Sequence, residues 1–195
     1  MKKNSSRFNL VIAGVGGQGL ITLLRVLAEA AIDAGFTARS SELHGLSQRG
    51  GSVEVHLRFG NHIDSPLVKK GGADLIVCLE AQESLKVFSY ASKEQETVFL
   101  LNDFFQPIAE TAPLPLEEIK KEIERFSSGV FVVPASETCR ENFGTDVVAG
   151  IYLLGYAVSK NLIPLDEKIV VSALEKTIPP QYLELNLKAF RLAAK

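Results

Sequence analysis

The sequence predicts an α/β protein, a three-layer sandwich around a mostly parallel, Rossmann-like sheet. Short apolar runs alternate with helical patterns along most of the chain. A glycine turn, Gly14-Val15-Gly16-Gly17-Gln18-Gly19, stands between the first such run and the first helix. One strand breaks the pattern: Val53, Val55, Leu57 and Phe59 alternate with Glu54, His56 and Arg58, a period of two that marks a half-buried strand.

Phe8–Ala13 reads as the first buried parallel strand, ending at the glycine turn. Gly17 to Ala34 turns helical and rich in Leu and Ala, with Gly35 placed to cap its end. Thr37–Ser41 forms a second strand and leads into the polar loop Glu42–Gly51. After the 53–59 strand, Ala73–Leu79 and Val98–Asn102 read as buried strands separated by a helix near Gln82–Tyr90. Phe104–Pro115 is irregular, because Pro107, Pro113 and Pro115 interrupt any regular element. Leu116–Arg125 is an amphipathic helix and Val130–Val133 a last short strand. Helices near Thr145–Lys160, Leu165–Lys176 and Gln181–Ala194 follow, divided by Pro164 and Pro179-Pro180. The whole of residues 1–195 reads as one domain, long enough to bury a substantial core.

Composition removes several classes of function. A net charge of -2 gives no electrostatic reason to expect nucleic acid. No apolar run reaches the roughly 20 residues of a membrane span, and the segment before Phe8 is too short and polar for a signal peptide. The cytoplasm is the expected location. Hydrophobic residues make up 46% of the chain and mean hydropathy is +0.14, which fits buried parallel strands or a covered partner surface. Cys78 lies in an apolar run and reads as a small buried thiol; Cys139 sits in a polar helical or loop segment. Two cysteines this far apart form no iron–sulfur or zinc motif, so any cluster belongs to another chain.

Gly14, Gly16 and Gly19 have the spacing of a dinucleotide fingerprint. Missing Cβ atoms permit a tight turn, and the following helix offers free N–H groups to an anion. Glu42 falls about twenty residues on, where a ribose-binding acid would sit. The plain alternative is a turn that lets strand and helix pack closely. The loop carries the sharper signal: His44 can donate, accept or titrate, and Arg49 presents a fork suited to carboxylate or phosphate. Ser47 and Gln48 add neutral hydrogen bonds, while Gly45, Gly50 and Gly51 let the backbone bend. A solvated crossover loop would need none of this, and loops at the carboxyl ends of parallel strands are where α/β folds hold ligands.

Other polar residues have simpler readings. His56 is expected to face solvent or an interface, and His62 to lie on the surface. Asp74 and Glu80 flank a strand as caps or loop ligands; Glu80 and Asp103 are minor ligand candidates because each follows a strand end. Lys69-Lys70 reads as a solvated turn able to meet a phosphate.

Gly14-x-Gly16-Gly17-Gln18-Gly19, Glu42-x-His44-Gly45-x-Ser47-Gln48-Arg49-Gly50-Gly51 and the strand containing Arg58 together resemble the gamma-type domain of 2-oxoacid:ferredoxin oxidoreductases. Within that family the chain most resembles the beta subunit of indolepyruvate ferredoxin oxidoreductase, and the tail Asn186-Leu187-x-Ala189-Phe190 extends the likeness. One departure is visible. Gly150 stands where members often carry Asn, before Leu154-Gly155.

The resemblance implies oxidative decarboxylation of a 2-oxo acid to an acyl-CoA, with coenzyme A as co-substrate and electrons passed to ferredoxin. It implies that thiamine diphosphate, Mg and [4Fe–4S] clusters reside on a larger catalytic partner, and that this chain binds none of them alone. Gamma subunits for pyruvate, 2-oxoisovalerate or 2-oxoglutarate remain alternatives. So do a free-standing NAD(P)-binding Rossmann protein and a structural or regulatory partner. Under the leading reading, His44 and Arg49 contribute to a site at the junction with the partner, and the two glycine-bearing loops supply the ligand or interface surface.

Overall fold

The computed structural model describes residues 7–44, 50–106 and 113–194. Among these residues six strands form one sheet: β1 (Arg7–Val15), β2 (Thr37–His44), β3 (Ser52–Gly60), β4 (Leu75–Cys78), β5 (Val98–Asn102) and β6 (Gly129–Val133). Their order is β2-β3-β1-β4-β5-β6. β1, β4, β5 and β6 run parallel in sequence. β3 is antiparallel to both β1 and β2, which makes it the one reversed strand. Its alternation in the sequence reflects that difference, since an antiparallel strand need not be apolar on both faces.

Among the described residues seven α-helices cover the sheet: α1 (Leu20–Asp33), α2 (Ser84–Val87), α3 (Leu116–Glu124), α4 (Ala135–Phe143), α5 (Ala149–Ser159), α6 (Glu167–Thr177) and α7 (Pro180–Ala193). Leu20, Leu23, Leu24, Leu27 and Ala31 recur at helical spacing and are the buried stripe of α1. Ala34 closes the helix, and Gly35 follows it at φ 84 where a left-handed residue is needed. One face of the sheet, with Leu10, Ile12, Val55, Leu57 and Phe59, packs against α1, α4, α5, α6 and α7. The other, with Val11, Ala13, Ile76, Cys78, Phe99 and Leu101, is covered by α2 and α3.

Two helical expectations change. The segment near Gln82–Tyr90 is not one helix but a 3-10 turn (Ala81–Glu83), the single turn of α2 and a second 3-10 turn (Phe88–Tyr90). The helix expected near Thr145–Lys160 starts later than its pattern suggested, and a helix that was not expected, α4, precedes it. α4 ends at Phe143, Gly144 reverses the chain at φ 72, and α5 starts only at Ala149. Cys139 therefore belongs to a helix, facing inward and fully buried.

His56 also departs from expectation. It is 1% exposed, not turned to solvent, because the irregular segment 61–74 crosses over β3. Val68 N–H donates to His56 Nδ1 at 3.0 Å, which leaves Nε2 to carry the proton toward Glu54 Oε1 at 2.6 Å. Tyr90 donates to the same Glu54 oxygen at 2.7 Å and sets its ring edge-on to the imidazole. Arg58 donates to Asn9 Oδ1 and to the Ser65 carbonyl, each at 2.8 Å, pinning the segment at a further point.

Candidate functional site

The carboxyl ends of β1, β4, β5 and β6 lie along one edge of the sheet, where α/β folds bind ligands. The two motifs singled out by the sequence meet there. Gly16 N–H donates to the Gly51 carbonyl at 2.9 Å, and Gly50 N–H donates to the Gly16 carbonyl at 3.5 Å. The root of the polar loop thus pairs with the glycine turn through backbone alone. Gly45, Ser47, Gln48 and Arg49 lie outside the described residues, as does the His44 side chain; His44 backbone ends β2 opposite Val53.

The turn is built by its own glutamine. Gln18 Oε1 accepts the Val15 N–H at 2.8 Å, and Gln18 N–H donates to the Val15 carbonyl at 3.2 Å. A Cβ on Gly14 would stand 2.7 Å from that Gln18 oxygen, so the first glycine makes room for the glutamine. Gly19 enters α1 at φ 81 with no side-chain cap. The first-turn N–H groups of α1 are thereby left for other acceptors.

A cavity of about 300 Å³ opens beside the turn, on the side of β4 and β5, away from β2. Gly16, Gly17 and Gln18 form one wall, Leu79 and Asn102 the floor, Ser136 and Ala149 the opposite wall. These walls lie at the amino-terminal ends of α1, α4 and α5, none of which is capped by the side chain of its own N-cap residue. Three helix N-termini facing one hollow favour an anion there, against the opposing charge of Asp146 in the lining. Asn102 fixes the floor: its Nδ2 donates to the Leu79 carbonyl at 3.0 Å and to Ser136 Oγ at 2.7 Å, and its Oδ1 accepts Ser136 N–H at 3.1 Å. At the rim Arg140 pairs with Asp146 at 3.0 Å and lies over the Phe104 ring at 5.5 Å. Gly150 adjoins this wall, and a Cβ there would meet Leu79 Cδ2 at 3.3 Å.

Glu42 does not join this group. It is exposed on β2 opposite Val55, and β3 separates it from β1. Two strand spacings, about 10 Å, stand between that strand and the turn, unlike a dinucleotide fold in which the acidic strand adjoins the first.

Glu80 is buried as a brace. Its carboxylate accepts Glu83 N–H at 2.9 Å and Gln106 N–H at 3.3 Å. Burial pushes its pKa up, and the two backbone donors pull against that rise. Asp103 is exposed at the same edge and its N–H bonds to the Val133 carbonyl. Asp74 lies at the other end of β4, where it accepts Asn9 N–H at 2.7 Å and Gln95 Nε2 at 2.6 Å. His62 is exposed beside Asp64, and Lys69-Lys70 form an exposed turn ahead of β4, both remote from the cavity edge. Sequence reasoning missed Asn102, Phe104, Ser136 and Asp146: the first three have only their place at or just past a strand end as a signal, and Asp146, between α4 and α5, has none.

The cysteines do not suit a metal cluster. Cys78 and Cys139 are both fully buried, on opposite faces of the sheet. Burial raises the Cys78 thiol well above its ordinary range and lifts Cys139 to about 11, with Asp146 adding to the latter. Among the described residues no group of three His, Cys, Asp or Glu side chains could hold a metal ion. No helix among them is long and apolar enough to cross a membrane.

A family model described as pyruvate ferredoxin/flavodoxin oxidoreductase matches residues 9–195. The chain belongs to that family. It is therefore a subunit of a 2-oxoacid:ferredoxin oxidoreductase. The indolepyruvate oxidoreductase subunit IorB of Archaeoglobus fulgidus is 35% identical over 189 residues, covering 95% of this chain and 93% of that one. The pyruvate oxidoreductase subunit PORC of Thermotoga maritima superposes with a TM-score of 0.72 at 20% identity, covering 97% of this chain and 96% of the other. A 2-oxoglutarate:ferredoxin oxidoreductase from Magnetococcus marinus, with 2-oxoglutarate, coenzyme A and succinyl-CoA bound, matches at TM-score 0.68 and 18% identity. This chain accounts for 31% of that longer one. The α/β fold, its largely parallel sheet and its helices on both faces are those of this family's gamma subunits.

Proposed function

We propose that the chain is the non-cofactor subunit of a thiamine-dependent indolepyruvate, or more broadly aryl-pyruvate, ferredoxin oxidoreductase. The observation that carries the substrate class is the 35% identity to an indolepyruvate oxidoreductase subunit, spread over nearly the full length of both chains. Subunits of 2-oxoglutarate and pyruvate synthases from methanogens match at 28% and 25% identity.

In this reading a 2-oxo acid loses carbon dioxide, its acyl group passes to the coenzyme A thiol, and the electrons released go singly to ferredoxin. Thiamine diphosphate with Mg supplies the electron sink for the decarboxylation and [4Fe–4S] clusters carry the electrons, all on the larger partner. This chain closes the site and binds. The convergence of the glycine turn, the root of the polar loop and three helix N-termini on one edge supports a surface that receives an anionic group of substrate or coenzyme A. Arg49 and His44 act at the junction with the partner, Arg49 by pairing with that anion.

The test is reconstitution with the larger, thiamine-binding subunit of such a complex. The assembled complex should reduce ferredoxin with indolepyruvate in preference to pyruvate or 2-oxoglutarate, and neither chain should do so alone. Arg49→Ala should leave assembly intact and lower kcat/KM about tenfold or more. Preference for pyruvate or 2-oxoglutarate would reassign the substrate, and tight NADH or NADPH binding by the isolated chain would revive the dinucleotide alternative.

A further inference from the structure

Beside the cavity, on the face covered by α2, a buried glutamate is bonded by two exposed side chains, Ser52 and Lys86. Glu83 is 7% exposed in the turn after β4. It accepts from Ser52 Oγ at 3.1 Å and from Lys86 Nζ at 2.6 Å, while Lys86 Nζ also donates to Ser52 Oγ at 2.5 Å. Ser52 begins β3 opposite Val15, and the carbonyl of the preceding Gly51 holds the Gly16 N–H. The chain of contacts runs from Lys86 and Glu83 through Ser52 and Gly51 to Gly16, which is cavity wall. Glu80 extends it to the third side, since its carboxylate joins Glu83 N–H to Gln106, another wall residue.

A carboxylate in such a place is a costly way to hold a turn, and only its two donors compensate the lost water. An apolar contact would secure α2 against the sheet equally well. What the ionic set adds is direction: a short, charge-assisted link that fixes the distance between the β3 root and the turn after β4.

We propose that Glu83 and Lys86 are positioning residues, which hold the glycine-turn wall of the cavity at the spacing its anionic ligand requires by clamping Ser52. The inference rests on the reading that this edge receives substrate or coenzyme A in the oxidoreductase complex. Displacing one wall weakens ground-state and transition-state binding alike, so KM changes and kcat does not.

The experiment uses the reconstituted complex with Glu83→Gln, Lys86→Met, Ser52→Ala and the Ser52→Ala/Lys86→Met double variant. Glu83→Gln preserves shape and a hydrogen bond to Ser52 while removing the charge. Each single variant should raise KM for the 2-oxo acid or coenzyme A about fivefold or more, with kcat held within about twofold. The double variant should go no further than either single, because one clamp is broken in all. Amide exchange in peptides 14–19 and 50–53 of the full chain should quicken.

Unchanged KM, or additive effects in the double variant, overturns the clamp as a positioning device. A wild-type complex inactive with every 2-oxo acid instead overturns the functional reading. Exchange in peptides 14–19 then decides the clamp by itself: quickening sustains it and wild-type rates sink it.

Discussion

The two faces of this one sheet are held by different physics. On the face covered by α1, α5, α6 and α7, strands and helices meet through apolar side chains, and the tightest contact uses no side chain at all. α5 crosses α7 at Gly155, where a Cβ would lie 2.2 Å from the Phe190 carbonyl oxygen. On the other face an apolar cluster lies under α2 and α3, but over β1 and β3 the cover is polar: Asn9, Glu54, His56 and Arg58 are each bonded to Tyr90, to one another or to the backbone of segment 61–74. The first face is specified by volume and tolerates any apolar group of the right size. The second is specified by pairing, so each member depends on a particular partner.

The largest expected effect tests the dry face. Gly155→Ala has to push two helix backbones apart, since the atom in the way is a carbonyl and not a flexible side-chain end. It should cost about 3 kcal/mol or more and lower the melting temperature by roughly 10 °C. A thermal unfolding scan showing a wild-type midpoint would mean that α5 and α7 slide freely, and the contrast between the faces would disappear.

Next comes the paired face. His56→Leu keeps the volume but leaves the buried Val68 N–H without its acceptor and deprives Glu54 of a donor. The expected cost is about 2 kcal/mol, from desolvation without replacement. Urea unfolding measures it directly. A neutral or stabilising leucine would show that segment 61–74 is held by Val68 and Ile63 packing and not by pairing.

The same contrast explains what could be read from the sequence. Val55, Leu57 and Phe59 declared their direction by alternation, and β1, β4, β5 and β6 lie where apolar runs stand. That is legible because burial of apolar groups is a local pattern. His56 was expected outside because Glu54, His56 and Arg58 look like a wet stripe. Their cover arrives from residues 61–74 and from Tyr90, a pairing that no periodicity encodes. The site divides in the same way. The glycine turn and the root Gly50-Gly51 stand out by composition, and they do meet at Gly16. Asn102 and Ser136 are ordinary residues made into cavity floor and wall only by the parallel register of β4, β5 and the start of α4. The reversed β3 is the other hidden element: by entering between β1 and β2 it carries Glu42 away from the turn that its sequence spacing suggested.

The smallest effect, and the most selective for the paired face, belongs to Tyr90. Burial first, and then the hydrogen bond to Glu54, raises its pKa from 10.0 to about 12. A raised folded-state value means that the neutral phenol is favoured by folding. Its contribution is full below pH 10, the unfolded value, and is lost as pH rises through about 12. Tyr90→Phe keeps the ring against His56 and removes only the hydroxyl, at a cost of about 1 kcal/mol near neutral pH. Cys139, also raised, titrates in both proteins and cancels in the difference. The stability gap between wild type and Tyr90→Phe, followed by urea unfolding at successive pH values, should therefore close between pH 10 and 12. Curves that stay parallel across that interval would show that Glu54 finds its compensation in His56 alone, and that the paired face needs one partner fewer than the geometry supplies.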